Sequence, residues 1–166
     1  MEKRIYLLAV CVVGLFGCDK GISPIESPSG FGGTITYVSA PPSPDSLMDL
    51  RIVAVPYYPV DTVVETLIQK LFSGAIPYSG TLLPVTIDSG KTQTYQFLLR
   101  PGVYKYVAVV QQYGVLILQD WRVIGIYGYS PSSPFPGSVT VSAGRIQTGI
   151  DFIVDFKNLP PQPFKE

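Results

Sequence analysis

From residue 31 onward, apolar and polar positions alternate in short runs bounded by Gly and Pro, the period-2 pattern of half-buried strands. Residues 31–39 (FGGTITYVS) place Ile35 and Tyr37 on one face and Thr34, Thr36 and Val38 on the other. Residues 47–58 (LMDLRIVAVPYY) set Leu50, Ile52 and Ala54 against Asp49, Arg51, Val53 and Val55, and Pro56, which has no N–H to donate, ends the pairing or marks an edge. In residues 61–73 (DTVVETLIQKLFS) the period changes. Val64, Leu67, Ile68 and Leu71 recur at helical spacing, with Asp61 placed to cap the helix and Gly74 to close it. Residues 81–88 and 92–100 read as a hairpin around Ser89-Gly90, followed by a Pro101-Gly102 turn in which Gly takes a positive φ. Residues 103–112 carry Tyr104, Tyr106, Ala108 and Val110 on one face, are apolar on both, and read as a central strand. Residues 116–127 read as extended and 128–137 (GYSPSSPFPG) as a loop. A short strand at 138–142, turned by Ala143-Gly144, leads into the clearest alternation of the chain, 146–156. The pattern predicts an all-β fold: an antiparallel β-sandwich of about seven strands, spanning 31–158, with one short helix inserted at about 61–73. Residues 159–166 form a Pro-rich C-terminal tail.

The N-terminus has a different pattern. Glu2-Lys3-Arg4 precede an apolar run of twelve residues, 5–16, too short for a spanning helix of ~20. A basic start, a short apolar core and a small residue at the cleavage point describe a secretory signal peptide. Leu15-Phe16-Gly17-Cys18 resembles the lipobox of bacterial lipoproteins, with Leu three positions before the cysteine and Gly just before it. The resemblance implies removal of 1–17, a thioether-linked lipid on Cys18 and acylation of the new amine, palmitate being a typical chain. Asp19 resembles the inner-membrane retention signal of enteric bacteria, a rule other phyla do not share, so inner and outer membrane both stay open. Residues 18–30 then comprise the lipidated cysteine and a Ser/Pro/Gly-rich tether, whose twelve residues after Cys18 reach at most ~40 Å. Cys11 would leave with the signal, so the mature chain would hold no free thiol.

Composition narrows the chemistry. The formal net charge of +0 becomes −1 once Glu2, Lys3 and Arg4 are removed, which leaves no electrostatic footprint for nucleic acid and no polybasic membrane patch. There is no histidine, which excludes Ser-His-Asp and Cys-His nucleophiles and His-bearing zinc sites. Neither cofactor nor metal is expected. Asp151 and Asp155 share a strand face ~13 Å apart, too far for a glycosidase pair. Asp88-Ser89-Gly90 lacks the oxygen density of a calcium loop. A hydrolase built on carboxylates alone, with Asp120 and Asp151, is the remote alternative. The eleven tyrosines and Trp121 offer more. Trp121, Tyr127, Tyr129, Tyr57 and Tyr58 are candidate binding residues, since exposed aromatic faces stack on sugars and anchor interfaces. Arg122 is placed for a cation–π contact with Trp121, and the 128–137 loop is a candidate contact surface.

Four segments taken together, GTITY, LRIVAVPYY, YQFLLRPGVYKYVAVV and GSVTVSAGRIQTGIDFIV, resemble the carboxypeptidase regulatory-like domain, a transthyretin-like β-sandwich. Leu99, Pro101, Gly102 and Tyr104 match its Leu-x-Pro-Gly-x-Tyr element; Val139, Val141 and Gly144 match its closing turn. The likeness covers roughly 31–156 and departs at the 61–73 insertion and the 120–137 region. It implies a structural or binding accessory domain with no catalytic motif. The expectation is therefore a non-enzymatic lipoprotein of the bacterial cell envelope, facing the periplasm or the cell surface. Its partners would be the membrane, through Cys18, and an envelope protein or glycan. Carbohydrate binding through exposed aromatics is the alternative.

Overall fold

The computed structural model describes residues 27–41, 43–83 and 90–163. The signal segment, Cys18, most of the tether, and residues 84–89 of the expected hairpin lie outside the described residues. The all-β sandwich with one short helix is observed, with nine strands among the described residues: β1 Gly30–Tyr37, β2 Asp49–Val55, β3 Thr92–Leu98, β4 Gly102–Tyr104, β5 Tyr106–Gln112, β6 Trp121–Ile126, β7 Val139–Val141, β8 Ile146–Gln147 and β9 Phe152–Val154. The helix, α1, is Val64–Phe72. One sheet has β3 on one side of β1 and β8 and β9 along the other; a second runs β2-β5-β6; β4 and β7 form a two-stranded ladder.

Alternation sends the inward-facing residues of both larger sheets into one core. Phe31, Ile35 and Tyr37 of β1 meet Leu50, Ile52 and Ala54 of β2, Val107 and Val109 of β5, and Phe152 and Val154 of β9. Phe31 lies edge-on to Tyr95 and Phe97, with centroids 6.2 and 5.5 Å away. Each fully buried side chain of this size contributes about 1.5–3 kcal/mol.

Several expectations are corrected, in three parts of the chain. Pairing is not antiparallel throughout: β1 is antiparallel to β3 but parallel to β8 and β9. The 146–156 run is two strands, because Gly149 at φ 80° breaks the extended backbone between them. In that break Ile150 N–H bonds to Gly32 O and Asp151 Oδ1 accepts Thr34 N–H at 2.8 Å. The chains pass so closely that a Cβ on Gly33 would sit 2.2 Å from Ile150 O. Second, the 103–112 strand breaks at Lys105. Tyr104 faces the inter-sheet core, whereas Tyr106, with Ala108 and Val110, faces the other side of the central sheet. Gly102 pairs with Val141 as a strand residue and is not among the positive-φ glycines. Third, residues 116–119 form a turn rather than extended chain. Gln119 and Asp120 N–H both donate to Leu116 O at 2.9 Å, and Asp120 Oδ2 accepts Leu116 N–H at 2.8 Å.

The outer face of β2-β5-β6 carries a second apolar layer. Val55, Ile76, Tyr106, Ala108 and Val123 are buried there, covered in part by Leu67 and Leu71 of α1. The expected cap is not made. Val63 occupies the N-cap position without a side-chain bond, and Asp61 instead binds Lys70 Nζ at 2.7 Å and the Tyr57 hydroxyl. Gly74 does close the helix, at φ 74° with its N–H on Leu71 O. Both edges of this sheet are covered. Ser79 and Leu82 N–H bond to Ile52 and Leu50 O along β2. Along β6, the Gln162 side chain brackets Val123, accepting its N–H at 2.8 Å and donating to its C=O at 2.9 Å. No helix among the described residues is long and apolar enough to cross a membrane.

Candidate functional site

The five candidate aromatics do not form one strip. Trp121 pairs with Gln112 at one end of β5, six residues and therefore ~20 Å from Tyr106 at the other end. Its indole N–H donates to Ile117 O at 2.6 Å, which holds the 116–119 turn. Arg122 does not lie on Trp121: neighbouring strand residues point to opposite faces, and the guanidinium sits 5.4 Å from the Tyr113 ring while Nε donates to Gln111 Oε1. Tyr127 packs into the core, edge-on to Phe152 at 6.3 Å. Tyr57 carries Lys70 Nζ 4.4 Å over its ring and shares Asp61 with it, an assembly that pins α1 to the sheet.

Tyr58 and Tyr129 remain, and the fold brings them together with a residue the alternation pattern had placed only as a strand-face tyrosine. Tyr58, Tyr106 and Tyr129 line a cleft of about 200 Å³. Its walls include Pro134 and Pro136 of the 128–137 loop and Pro161 and Pro163 of the tail. The loop reaches it as a closed unit: Gly137 N–H bonds to Tyr127 O at 2.7 Å, and Ser130 and Ser133 exchange backbone bonds. The tail reaches it because Gln162 is held on Val123. Tyr58, 45 % exposed, lies parallel to Tyr106, with centroids 6.3 Å apart and 4° between the planes. Tyr106 is 5 % exposed, and its hydroxyl is the only buried side-chain polar atom among the described residues without a hydrogen-bond partner. Burial pushes its pKa far up, so it stays a protonated donor. Among the described residues no charged side chain lines the cleft. The sequence offered Tyr58, Tyr129 and the 128–137 loop as candidates without placing them together. Nothing in a local pattern says that Tyr106 falls on the far side of the Lys105 break.

Five carboxylates among the described residues, Asp49, Asp61, Asp120, Asp151 and Asp155, are held in structural bonds. Asp155 accepts Ser39 Oγ at 2.6 Å, Asn158 Nδ2 at 2.7 Å and Lys157 N–H at 3.0 Å, which hold its pKa down at about 2. Lys70, then Tyr57, lowers that of Asp61. Burial works to raise Asp49, but bonds from Thr81, Arg51 and the Leu50 N–H outweigh it and pull it down. Asp151 and Asp155 sit at the two ends of β9 and clip it to β1 and to Ser39. Asp120 serves the 116–119 turn. Among the described residues no group of three or more acidic or Cys side chains is placed to hold a metal ion.

Comparison with protein-family models, curated proteins and solved structures finds no match.

Proposed function

We propose that this chain is a lipid-anchored, non-catalytic β-sandwich module of the bacterial cell envelope, with a structural or partner-binding role like that of carboxypeptidase regulatory-like domains. The observation that carries the anchoring is Leu15-Phe16-Gly17-Cys18 at the end of a twelve-residue apolar run with a basic start. Two acyl chains bury enough methylenes, at ~0.8 kcal/mol each, to hold a domain at a bilayer without a spanning helix. The non-catalytic part is supported by the carboxylates. Those with shifted pKa values, Asp49, Asp61 and Asp155, all move down, opposite to what a general acid needs, and each is held by structural partners. Glycan binding through aromatics keeps only Tyr58 and Tyr129, since Trp121 lies at the far end of the sheet.

The test is the mass of the N-terminal peptide of protein purified from membranes of a bacterial host. A diacylated or triacylated peptide beginning at Cys18, and a Cys18→Ala chain that takes no labelled palmitate and leaves the membrane fraction, support the reading. An unmodified thiol at Cys18, or wild-type chain released into the medium, overturns it.

A further inference from the structure

We infer that the Tyr58/Tyr106/Tyr129 cleft is a binding site for a proline-rich extended peptide segment of a partner protein. The inference deepens the partner-binding reading and rests on it, but it does not depend on the lipid.

Three observations converge. The walls are mainly tyrosine and proline, with no charged side chain among the described residues, so the site favours a neutral, largely apolar, flat-sided ligand. Five prolines, Pro59, Pro134, Pro136, Pro161 and Pro163, line it, and their fixed φ stiffens the walls against which an extended segment would lie. Tyr106 lines the cleft, and its buried hydroxyl is a donor with nothing to donate to. A polyproline II segment is the complementary object. It has no internal hydrogen bonds, so each carbonyl is an open acceptor, and its pyrrolidine rings pack on aromatic faces at low entropic cost. Sugar recognition needs several polar groups around the stacked ring. This cleft offers mainly hydroxyls, and its one carboxamide, Gln162, is committed to Val123 and Pro160. At about 200 Å³ it takes one or two residues of a longer segment, below the ~300–1,000 Å³ of sites that enclose a whole small molecule. Tyr58, exposed and parallel to Tyr106, supplies the aromatic face on which a pyrrolidine ring would pack.

The experiment titrates purified full-length protein with blocked decaproline, with a Gly-Ser peptide of equal length and with a linear oligosaccharide of similar size, by calorimetry. Decaproline is expected to saturate and the other two not. Tyr106→Phe keeps the ring and removes the hydroxyl. It is expected to weaken decaproline binding about tenfold, the size of one lost hydrogen bond, while the thermal midpoint holds or rises because an unpaired buried group is gone. Tyr58→Ala is expected to abolish binding; should it fold poorly, Tyr106→Phe carries the test. Absent saturation by decaproline, equal affinity in Tyr106→Phe, or saturation by the oligosaccharide instead overturns the inference. Failure of the lipid reading would appear only in the mass of the Cys18 peptide, so the two failures are separable.

Discussion

The two faces of the central sheet β2-β5-β6 are built to different standards. In the core that the inward face packs against, every buried tyrosine hydroxyl is used: Tyr37 of β1 donates to Gln93 Oε1, Tyr95 of β3 to Ile150 O and Tyr104 of β4 to Arg100 O. Outward, α1 covers part of the sheet with half-buried residues only, and the cleft beside it leaves Tyr106 without a partner. A low-dielectric interior makes an unpaired polar group costly, so native folds keep few of them. The inner face has the composition of a core that holds the fold. The outer face keeps a defect at a surface opening, which is where a fold can give up stability for recognition.

The largest effects fall on the inner face. Phe152→Ala removes a ring buried between the sheets and packed on Tyr95 and Tyr127, and is expected to lower stability by about 3–5 kcal/mol in urea melts. Leu67→Ala on α1 is expected to lower it by only about 1–2 kcal/mol, since that side chain is half-buried. Equal losses would erase the distinction between the faces. A sharper version compares two single-atom deletions. Tyr95→Phe strands the Ile150 carbonyl and is expected to cost about 1–3 kcal/mol, whereas Tyr106→Phe is expected to be neutral or stabilising by up to about 1 kcal/mol. The same deletion should thus change sign between the two faces. Matching losses would mean that the Tyr106 hydroxyl has a partner after all.

Much of the inner face was legible in the alternation. Ile35 with Tyr37, Leu50 with Ile52 and Ala54, and Phe152 with Val154 all lie where a period of two puts them, because one buried face per strand leaves a direct signature. What was not legible depends on contacts far apart in sequence. The parallel pairing of β8 and β9 with β1 rests on a backbone contact between Gly33 and Ile150, 117 residues on. The face change at Lys105 depends on β4 finding β7 instead of extending β5. Asp61 abandons the helix N-cap because Lys70 and Tyr57 offer a charge-assisted alternative that no capping rule contains. The cleft was legible only in pieces, Tyr58, Tyr129 and the 128–137 loop, for the same reason. Its walls come from residues 58–60, 62, 106, 126, 129, 134, 136 and 161–163, which only the fold assembles.

Gln162 joins the two regions, since it holds the tail that forms one cleft wall. Gln162→Ala removes a two-bond bracket on the β6 edge and is expected to cost about 1 kcal/mol and to speed hydrogen exchange at the Val123 amide. Unchanged exchange would show that the edge is closed by something else.

The smallest effect is set by pH. Asp155 stands at the end of β9, where Ser39, Asn158 and Lys157 hold its pKa at about 2, below its ordinary 3.8. A carboxylate depressed on folding stabilises the native state fully above the unfolded value, and that contribution disappears as pH falls from 3.8 through about 2. Asp61, lowered by Lys70 and Tyr57, acts with the same sign on the outer face. Asp155→Asn is therefore expected to show a deficit in urea melts at pH 7 that narrows below pH 4 and closes near pH 2. The carboxylate is solvent-facing, so salt screens its charge and the deficit is small beside that of Phe152→Ala. A deficit that stayed constant from pH 7 to pH 2 would assign Asp155 to shape and hydrogen-bond geometry alone. Acid sensitivity would then rest on the other two lowered carboxylates, Asp61 beside Lys70 and Asp49 beside Arg51.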